Sequence, residues 1–440
     1  MFNYITLRNF KSFENITIDF RNRQKKAKPI ILLYGPNGIG KSNIVSAFEL
    51  LSDLFDTMQV RDMLQRMLAD KKFDPKNQEL MVKLFHENFK DMEDIIHEYK
   101  MIGSAGNMFV EFGFSLNDKD GVYQLETNDK QIIHEYLSYT LVKNKGVYFD
   151  FTPEEYNLNR KLFKTKNSYT TILETAKEYW GKHSILSIIM HEIKDKSMEY
   201  MEDQLTEKLI DVIYTFKNIS CANHGYKKFI DGRVRTDSLK NLKHGEIDIE
   251  DAEILTRAEQ TLNKFFTTLF PSIKKVYYDT CKTESTVTYS LYFLKQIGTK
   301  LRDIPYKLES DGTTSLLEML PLLLNTVDGI TSIIDEFDTG LHQVIKYSLL
   351  ESLQSNIEGQ LILTTHDISL MDSKIKKEYI YIVSEDDNYQ KYAKCITDTD
   401  QQIHINSSCS KQYIDGKYQG LPQEAHIDFV ELNNLFHDNN

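Results

Sequence analysis

Four cysteines in 440 residues, at 221, 281, 395 and 409, leave this chain without a disulfide framework. They are far apart, form no CxxC pair and have no matching histidine pair, so a zinc site is not expected either. The pattern fits a reducing compartment. No apolar run approaches the length that spans a bilayer, and no signal peptide opens the sequence. No membrane partner and a cytoplasmic location are therefore expected. The chain also lacks an excess of basic charge: 53 Lys and Arg against 65 Asp and Glu give a net charge of −12. That sum does not indicate nucleic-acid binding, although local patches can override it. Arg23 to Lys28, Lys227 to Arg235 and Lys374 to Lys377 are lysine-rich, and each reads as a solvated face. No internal repeat is found, and no heptad pattern lasts three or four repeats between about 155 and 275, so no long coiled-coil arm is expected there.

What is present is concentrated in residues 35 to 42, GPNGIGKS. Gly35, four residues, then Gly40, Lys41 and Ser42 is the spacing of a phosphate-binding loop. The glycines, with Gly38 between the outer two, let the backbone turn so that several N–H groups face one concavity. Pro36, Asn37 and Ile39 complete the loop. Such a nest, with the positive end of the following helix, holds nucleotide phosphates. Lys41 is expected to reach the β- and γ-phosphates of ATP, and the Ser42 hydroxyl to ligate Mg²⁺. The flanks agree. Pro29 to Tyr34 is a short apolar run suited to a buried parallel strand, and Ile44, Ala47, Phe48, Leu51, Leu54 and Phe55 recur at helical spacing.

The second half of such a site is expected at residues 330 to 338, ITSIIDEFD. An apolar strand ending in an acidic pair places Asp335 to hold Mg²⁺ through its water shell and Glu336 to orient or deprotonate the attacking water. A further strand, Leu361 to Thr365, ends at His366, on the sheet edge where ligands bind. There His366 is positioned to sense or polarise the γ-phosphate. Between the halves, LESDGTTSLLEML (308 to 320) puts Ser310 and Gly312 before an amphipathic helix with Leu316, Leu317, Leu320, Leu323 and Leu324 on its apolar face. On residues alone this is either a capped helix or a second anion-binding N-terminus.

The remaining pattern gives two short strands in the first 20 residues and a charged helical stretch from Arg61 to Lys100. Two more strands, Met108 to Leu116 and Val122 to Glu126, are joined by NDKDG. From about 155 to 275 the sequence is polar and mostly helical. Parallel-strand signals return near Ile330, Leu361 and Tyr379. The fold class is α/β, with a nucleotide-binding fold split around a mainly helical insertion. The expected division is 1–154 and 276–440 for its two halves and 155–275 for the insertion. Lacking a catalytic constellation, the insertion is expected to present a surface to a partner or to nucleic acid.

In order, GPNGIGKS, SDGTT, SIIDEFDTGLH and LILTTHD resemble the ATP-binding-cassette-type ATPase heads, which include the chromosome-maintenance and double-strand-break-repair ATPases. The opening YITLRNFKSFENITIDF is similar to the start of those heads. The chain more closely resembles the compact ATPases of bacterial anti-phage and abortive-infection systems, relatives of the overcoming-lysogenization-defect family. Ser310, Gly312, Thr313, Asp335, Glu336, Leu341, His342 and His366 meet their pattern, and Tyr413 to Pro422 is similar to their closing segment. The resemblance covers roughly residues 1 to 60, 105 to 155 and 305 to 425. It implies a homodimer, or a higher homo-oligomer, formed through the heads. In it Ser310 and Gly312 of one subunit touch the γ-phosphate held by the other, and Asp338 lies in the segment that communicates across the dimer. It also implies a sensor or scaffold role in phage defence with an effector or toxin partner. Gln343 stands where proline often follows the leucine–histidine pair, and no glutamine-loop residue is assigned. The alternatives are a DNA-repair or chromosome-structural ATPase, for which a coiled coil or a basic face is lacking, and an ATP-dependent nuclease component. The 74 residues after His366 are too few for the Toprim domain of nuclease-bearing relatives. Glu385, Asp386 and Asp387 read as a turn, and no histidine is preceded five residues earlier by arginine.

Overall fold

The computed structural model describes residues 1–69, 89–193, 198–222, 229–230, 239, 241–398, 408–421 and 427–437. Alternating burial along Phe2–Phe10 (β1) and Phe13–Asp19 (β2) gives the two expected strands, paired antiparallel. Ile30–Tyr34 (β3) is buried at every position. Lys41–Ala69 (α1) runs on past Arg61, so the charged helical stretch expected there begins as the end of the first helix. Its middle lies outside the described residues, and Met92–Tyr99 (α2) closes it behind a capping box of Asp91 and Asp94.

Met108–Leu116 (β4) and Lys119–Thr127 (β5) form a hairpin tighter than NDKDG suggests. Leu116 pairs with Lys119, and Asn117 and Asp118 take φ of 49° and 56°, the two positive values that a two-residue turn between twisted strands requires. Ile132–Thr140 (β6), Lys145–Phe151 (β7) and Tyr156–Leu158 (β8) extend this into a seven-stranded antiparallel sheet, β2-β1-β4-β5-β6-β7-β8.

Next come the helices Lys166–Tyr179 (α3), Ile185–Ile193 (α4), Met198–Gln204 (α5) and Glu207–Lys217 (α6). They are followed by Ser220–Ala222 (β9), Phe229–Ile230 (β10), His244–Asp248 (β11) and Ala252–Leu269 (α7). Ile273–Lys282 (β12), Thr286–Ile297 (β13) and Lys300–Pro305 (β14) join β11 in a four-stranded antiparallel sheet. The chain then gives Asp311–Val327 (α8), Thr331–Ile334 (β15), Gln343–Gln354 (α9), Gln360–Thr364 (β16), Ile380–Glu385 (β17) and Lys391–Cys395 (β18). Cys409–Ile414 (α10) and Phe429–His437 (α11) follow, the latter exposed along its length.

The central sheet has the order β10-β9-β15-β16-β3-β17-β18, parallel from β9 to β17. Two observations bear on residues 155–275. β9, inside 155–275, pairs in parallel with β15. From the same segment, Phe216 packs its ring 5.0 Å from Phe114 and 6.1 Å from Phe2. Ser220–Ala222 and Phe216 thus lie in the central sheet and in the core under the antiparallel sheet, and residues 275 and 276 both lie within β12. Two further differences are small. Leu324 is 44% exposed and leaves the apolar face of α8. Lys28 is buried and donates to the Tyr381 hydroxyl at 2.7 Å, so it is no solvated lysine. The Lys227 to Arg235 stretch falls mostly outside the described residues, as does Pro422. The earlier part of that closing segment is anchored, with Tyr413 and Tyr418 buried and the Tyr413 hydroxyl donating to the carbonyl of Gly420.

Gln360 joins the two large sheets. Fully buried, it accepts from the Phe2 N–H at 2.7 Å and donates to the carbonyls of Phe2 and Lys28 at 2.9 and 3.0 Å. Its amide stands in for a missing strand neighbour.

Glu135 on β6 is a buried carboxylate that meets three donors: Tyr123 Oη (3.0 Å), Trp180 Nε1 (3.0 Å) and the Ile185 N–H at the start of α4 (2.9 Å). Burial outweighs them and pushes its carboxyl up from 4.5 to about 7. The folded state thus holds this proton more tightly than the unfolded chain does. The benefit is whole below pH 4.5 and is lost as pH rises to about 7, on the order of 3 kcal/mol. The expected result is that Glu135→Gln gains on the parent in Tm from pH 5 to pH 8. A pH-independent difference between the two melting curves would show that Glu135 is ionised throughout.

Candidate functional site

The parallel strands β3, β16 and β15 lie side by side, and their C-terminal ends carry the residues picked out by sequence. After Tyr34 the chain must turn at once, and Gly35 permits it at φ 152°. A Cβ there would lie 2.4 Å from the Val383 carbonyl of β17. At the far end Gly40 takes φ 111°, where a Cβ would strike Phe13 and Ser12 at 2.8 and 2.9 Å. Ser12 also accepts from Asn43 Nδ2 at 2.7 Å, so the β1–β2 turn braces the loop from outside. Ile39 is buried as the loop's anchor, whereas Asn37, Gly38 and Ser42 are exposed and Pro36 is half-buried. Nothing lies within 4 Å of a Cβ built on Gly38.

Lys41 begins α1, buried, with Nζ donating to the carbonyls of Gly35 at 2.8 Å and Pro36 at 3.1 Å. These two loop carbonyls hold the ammonium in place. Burial pulls its pKa down to about 8, against the opposing pull of Asp335, Glu336 and Asp338. Three carboxylates thus act on one cation, and an additional hard cation would relieve the excess negative charge. Among the described residues no group of three His, Cys, Asp or Glu side chains forms a metal cage. That donor set fits Mg²⁺, which takes one or two protein oxygens, keeps several waters and takes the rest from phosphates. Ser42 and Asp335 are the residues that would hold it.

Asp335 is buried directly after β15. The Thr364 hydroxyl at the end of β16 donates to Asp335 Oδ1, and the Thr364 hydroxyl oxygen in turn accepts from the Glu336 N–H at 2.8 Å. The Thr364 carbonyl also accepts from Phe337 N–H at 3.0 Å. Held in this way, Glu336 takes φ 50°, a left-handed conformation costing about 1–3 kcal/mol in a residue with a side chain. It is exposed on the ligand edge. Asp338, half-buried, accepts from the backbone N–H of His366 at 3.3 and 3.4 Å. Burial, and then the Lys41 cation, lower the His366 pKa, so its ring is neutral at pH 7 and has both a donor and an acceptor nitrogen. Behind it Asp367 pairs with the buried Lys346.

Ser310 caps α8, its Oγ accepting from the Thr313 N–H at 3.3 Å. A Cβ on Gly312 would lie 2.5 Å from the Gly340 carbonyl, so this helix N-terminus packs against the loop that follows the acidic strand. The structure therefore brings together Lys41, Asp335, Glu336, Asp338 and His366, and attaches Ser310 and Gly312 to them through Gly340. Sequence reasoning missed Ser12, Val383 and Thr364, which brace the site rather than match a motif. For Thr364 the available signal was its place in TTHD beside the acidic strand.

A family model described as "AAA domain, putative AbiEii toxin, Type IV TA system" matches residues 30–372. The chain belongs to this AAA family. The matched span runs from β3 past His366 and holds the phosphate loop, Ser310, Gly312, Asp335, Glu336, Asp338 and His366, while Ser12 and Val383 lie outside it. The family is one of P-loop ATPases, and the chain has an α/β fold with the phosphate loop at the C-terminal end of a central parallel strand. Among solved structures, the chain is similar to the SMC head domain from Thermotoga maritima. Identity is 15%, coverage 90% of this chain and 98% of that one, and the TM-score 0.39. It is also similar to an SMC head bound to the C-terminal winged-helix domain of ScpA, at 14% identity with the same coverages and a TM-score of 0.45. Both likenesses are distant. A search of curated proteins finds no match.

Proposed function

We propose that this AAA-family member hydrolyses ATP with Mg²⁺, and that hydrolysis takes place between two copies joined head to head. The observation that carries the reading is the convergence on Lys41 of Asp335, Glu336 and Asp338, with His366 beside them, at the ends of adjacent parallel strands. When bound, Mg²⁺ supplies charge neutralisation at the β- and γ-phosphates. Lys41 exchanges the carbonyls of Gly35 and Pro36 for phosphate oxygens. Glu336 takes the proton of the attacking water, and neutral His366 donates to the γ-phosphate. One chain leaves the far side of that phosphate open. Ser310 and the N–H groups at the start of α8 from a second copy close it. Asp338, bonded to the His366 backbone, links that interface to the site. The family description mentions a toxin–antitoxin setting, and this supports a role in anti-phage, abortive-infection defence with a separate effector protein in the cytoplasm.

The test mixes two inactive variants. Ser310→Arg blocks closure against the partner's nucleotide, and Lys41→Ala empties its own loop. A mixed dimer has one composite site with both defects and one with neither. Phosphate release is expected to return on mixing, toward about a quarter of the parental rate when exchange is random and sites act independently. Confirmed subunit exchange with no returning activity would sink independent composite sites. Full specific activity in a demonstrably monomeric sample would remove the dimer altogether.

A further inference from the structure

We infer that Thr364 is a positioning residue for ATP hydrolysis, setting the working geometry of both acidic residues through one hydroxyl. The inference rests on the reading of Asp335 and Glu336 given above. Thr364 is buried at the last position of β16, the strand between the phosphate-loop strand and the acidic strand. Its oxygen receives the Glu336 N–H at 2.8 Å, and an N–H can only donate. The single hydroxyl proton is therefore free to go to the acceptor on the other side, Asp335 Oδ1, and the bond is made there. Its direction is fixed.

Two consequences follow for the chemistry. With Oδ1 occupied, Asp335 has one defined oxygen to offer the water shell of a metal, instead of a carboxylate free to rotate between both. At Glu336 the bond to the backbone N–H keeps the residue at φ 50°, and this carries its side chain out to the exposed ligand edge. Without that bond the backbone relaxes toward an ordinary conformation, and the carboxylate is displaced from the attacking water. Thr364 itself is buried. It acts through its two neighbours, and both depend on the hydroxyl rather than on the methyl group.

The test compares Thr364→Val, which keeps the shape and removes the hydroxyl, with Thr364→Ser, which keeps the hydroxyl. Both are made in the full chain. Phosphate release and the binding of a fluorescent ATP analogue are measured across a Mg²⁺ titration. The valine variant is expected to bind the analogue within threefold of the parent and to turn over about 100-fold more slowly. Its Mg²⁺ requirement for half-maximal rate should rise about tenfold. Serine is expected to restore all three within threefold. If valine does not fold, Thr364→Cys takes its place with the same split expected, since a thiol is a weak donor and acceptor. Turnover and Mg²⁺ requirement at parental values in the hydroxyl-free variant would overturn the inference. So would a folded serine variant as slow as valine, or binding and turnover lost together. Glu336→Gln, assayed alongside, separates the two levels: parental turnover there overturns the base assignment, whereas a parental Mg²⁺ requirement in Thr364→Val overturns the role of Thr364.

Discussion

Glu336→Gln is expected to bind ATP within about threefold of the parent and to release phosphate about 10² to 10³ times more slowly. The reason is local. Glu336 lies exposed beyond a strained backbone held by Thr364, while the affinity for phosphate resides in the loop and Lys41. An amide of the same size keeps the contacts of the ground state but cannot accept a proton, and general-base catalysis is typically worth 10² to 10⁴ in rate. The substitution also removes one of the three carboxylates acting on Lys41, which favours the phosphates slightly. Since turnover is what would open the dimer, the variant should accumulate as an ATP-bound dimer by size exclusion. Parental phosphate release by Glu336→Gln would place the base elsewhere.

Lys41→Ala should lose ATP affinity by about 100-fold or more, the equivalent of roughly 3 kcal/mol. The buried ammonium already makes two bonds to loop carbonyls, so its position is set before nucleotide arrives. Removing it leaves Asp335, Glu336 and Asp338 facing incoming phosphates with no opposing side-chain charge from the loop. Calorimetric affinity equal to that of the parent would refute the phosphate-loop assignment. A pH effect accompanies it. With its pKa lowered to about 8, Lys41 is part-deprotonated in the free protein near pH 8, and phosphate restores its charge. ATP binding should therefore take up protons at pH 8, seen as a dependence of the binding heat on buffer ionisation enthalpy. Lys41→Arg, charged at all these pH values, should lack the part of that uptake due to Lys41.

The site was legible in sequence where its chemistry is local. GPNGIGKS needs only the residues on either side to make its turn. Ile30 to Tyr34 and Leu361 to Leu363 are buried parallel strands, which read as unbroken apolar runs. The hairpin of Asn117 and Asp118 was also visible as turn chemistry. What escaped depends on distant partners. Ser220, Cys221 and Ala222 have neither length nor periodicity, and become a strand because β15 offers them an edge. Phe216 lies on an amphipathic helix that looks like any surface helix until Phe2 and Phe114 receive it. The left-handed Glu336 is a product of the Thr364 hydroxyl, and no rule of local propensity would place it there.

The order of the central sheet also has a consequence in time. β3, which carries the phosphate loop, has β16 and β17 as its neighbours, with Leu361 opposite Ile30 and Ile380 opposite Leu32. About 330 residues of chain separate the partners, and ribosomes add roughly 5 to 20 residues per second. The loop strand therefore leaves the ribosome on the order of 15 to 65 seconds before anything can pair with it. Meanwhile β1, β2 and β4 to β8, all antiparallel, can zip together from chain already made. During synthesis ATP gains its first completed binding site only when the acidic strand, β16 and β17 have emerged. The motif that comes first in the message is among the last to become a site.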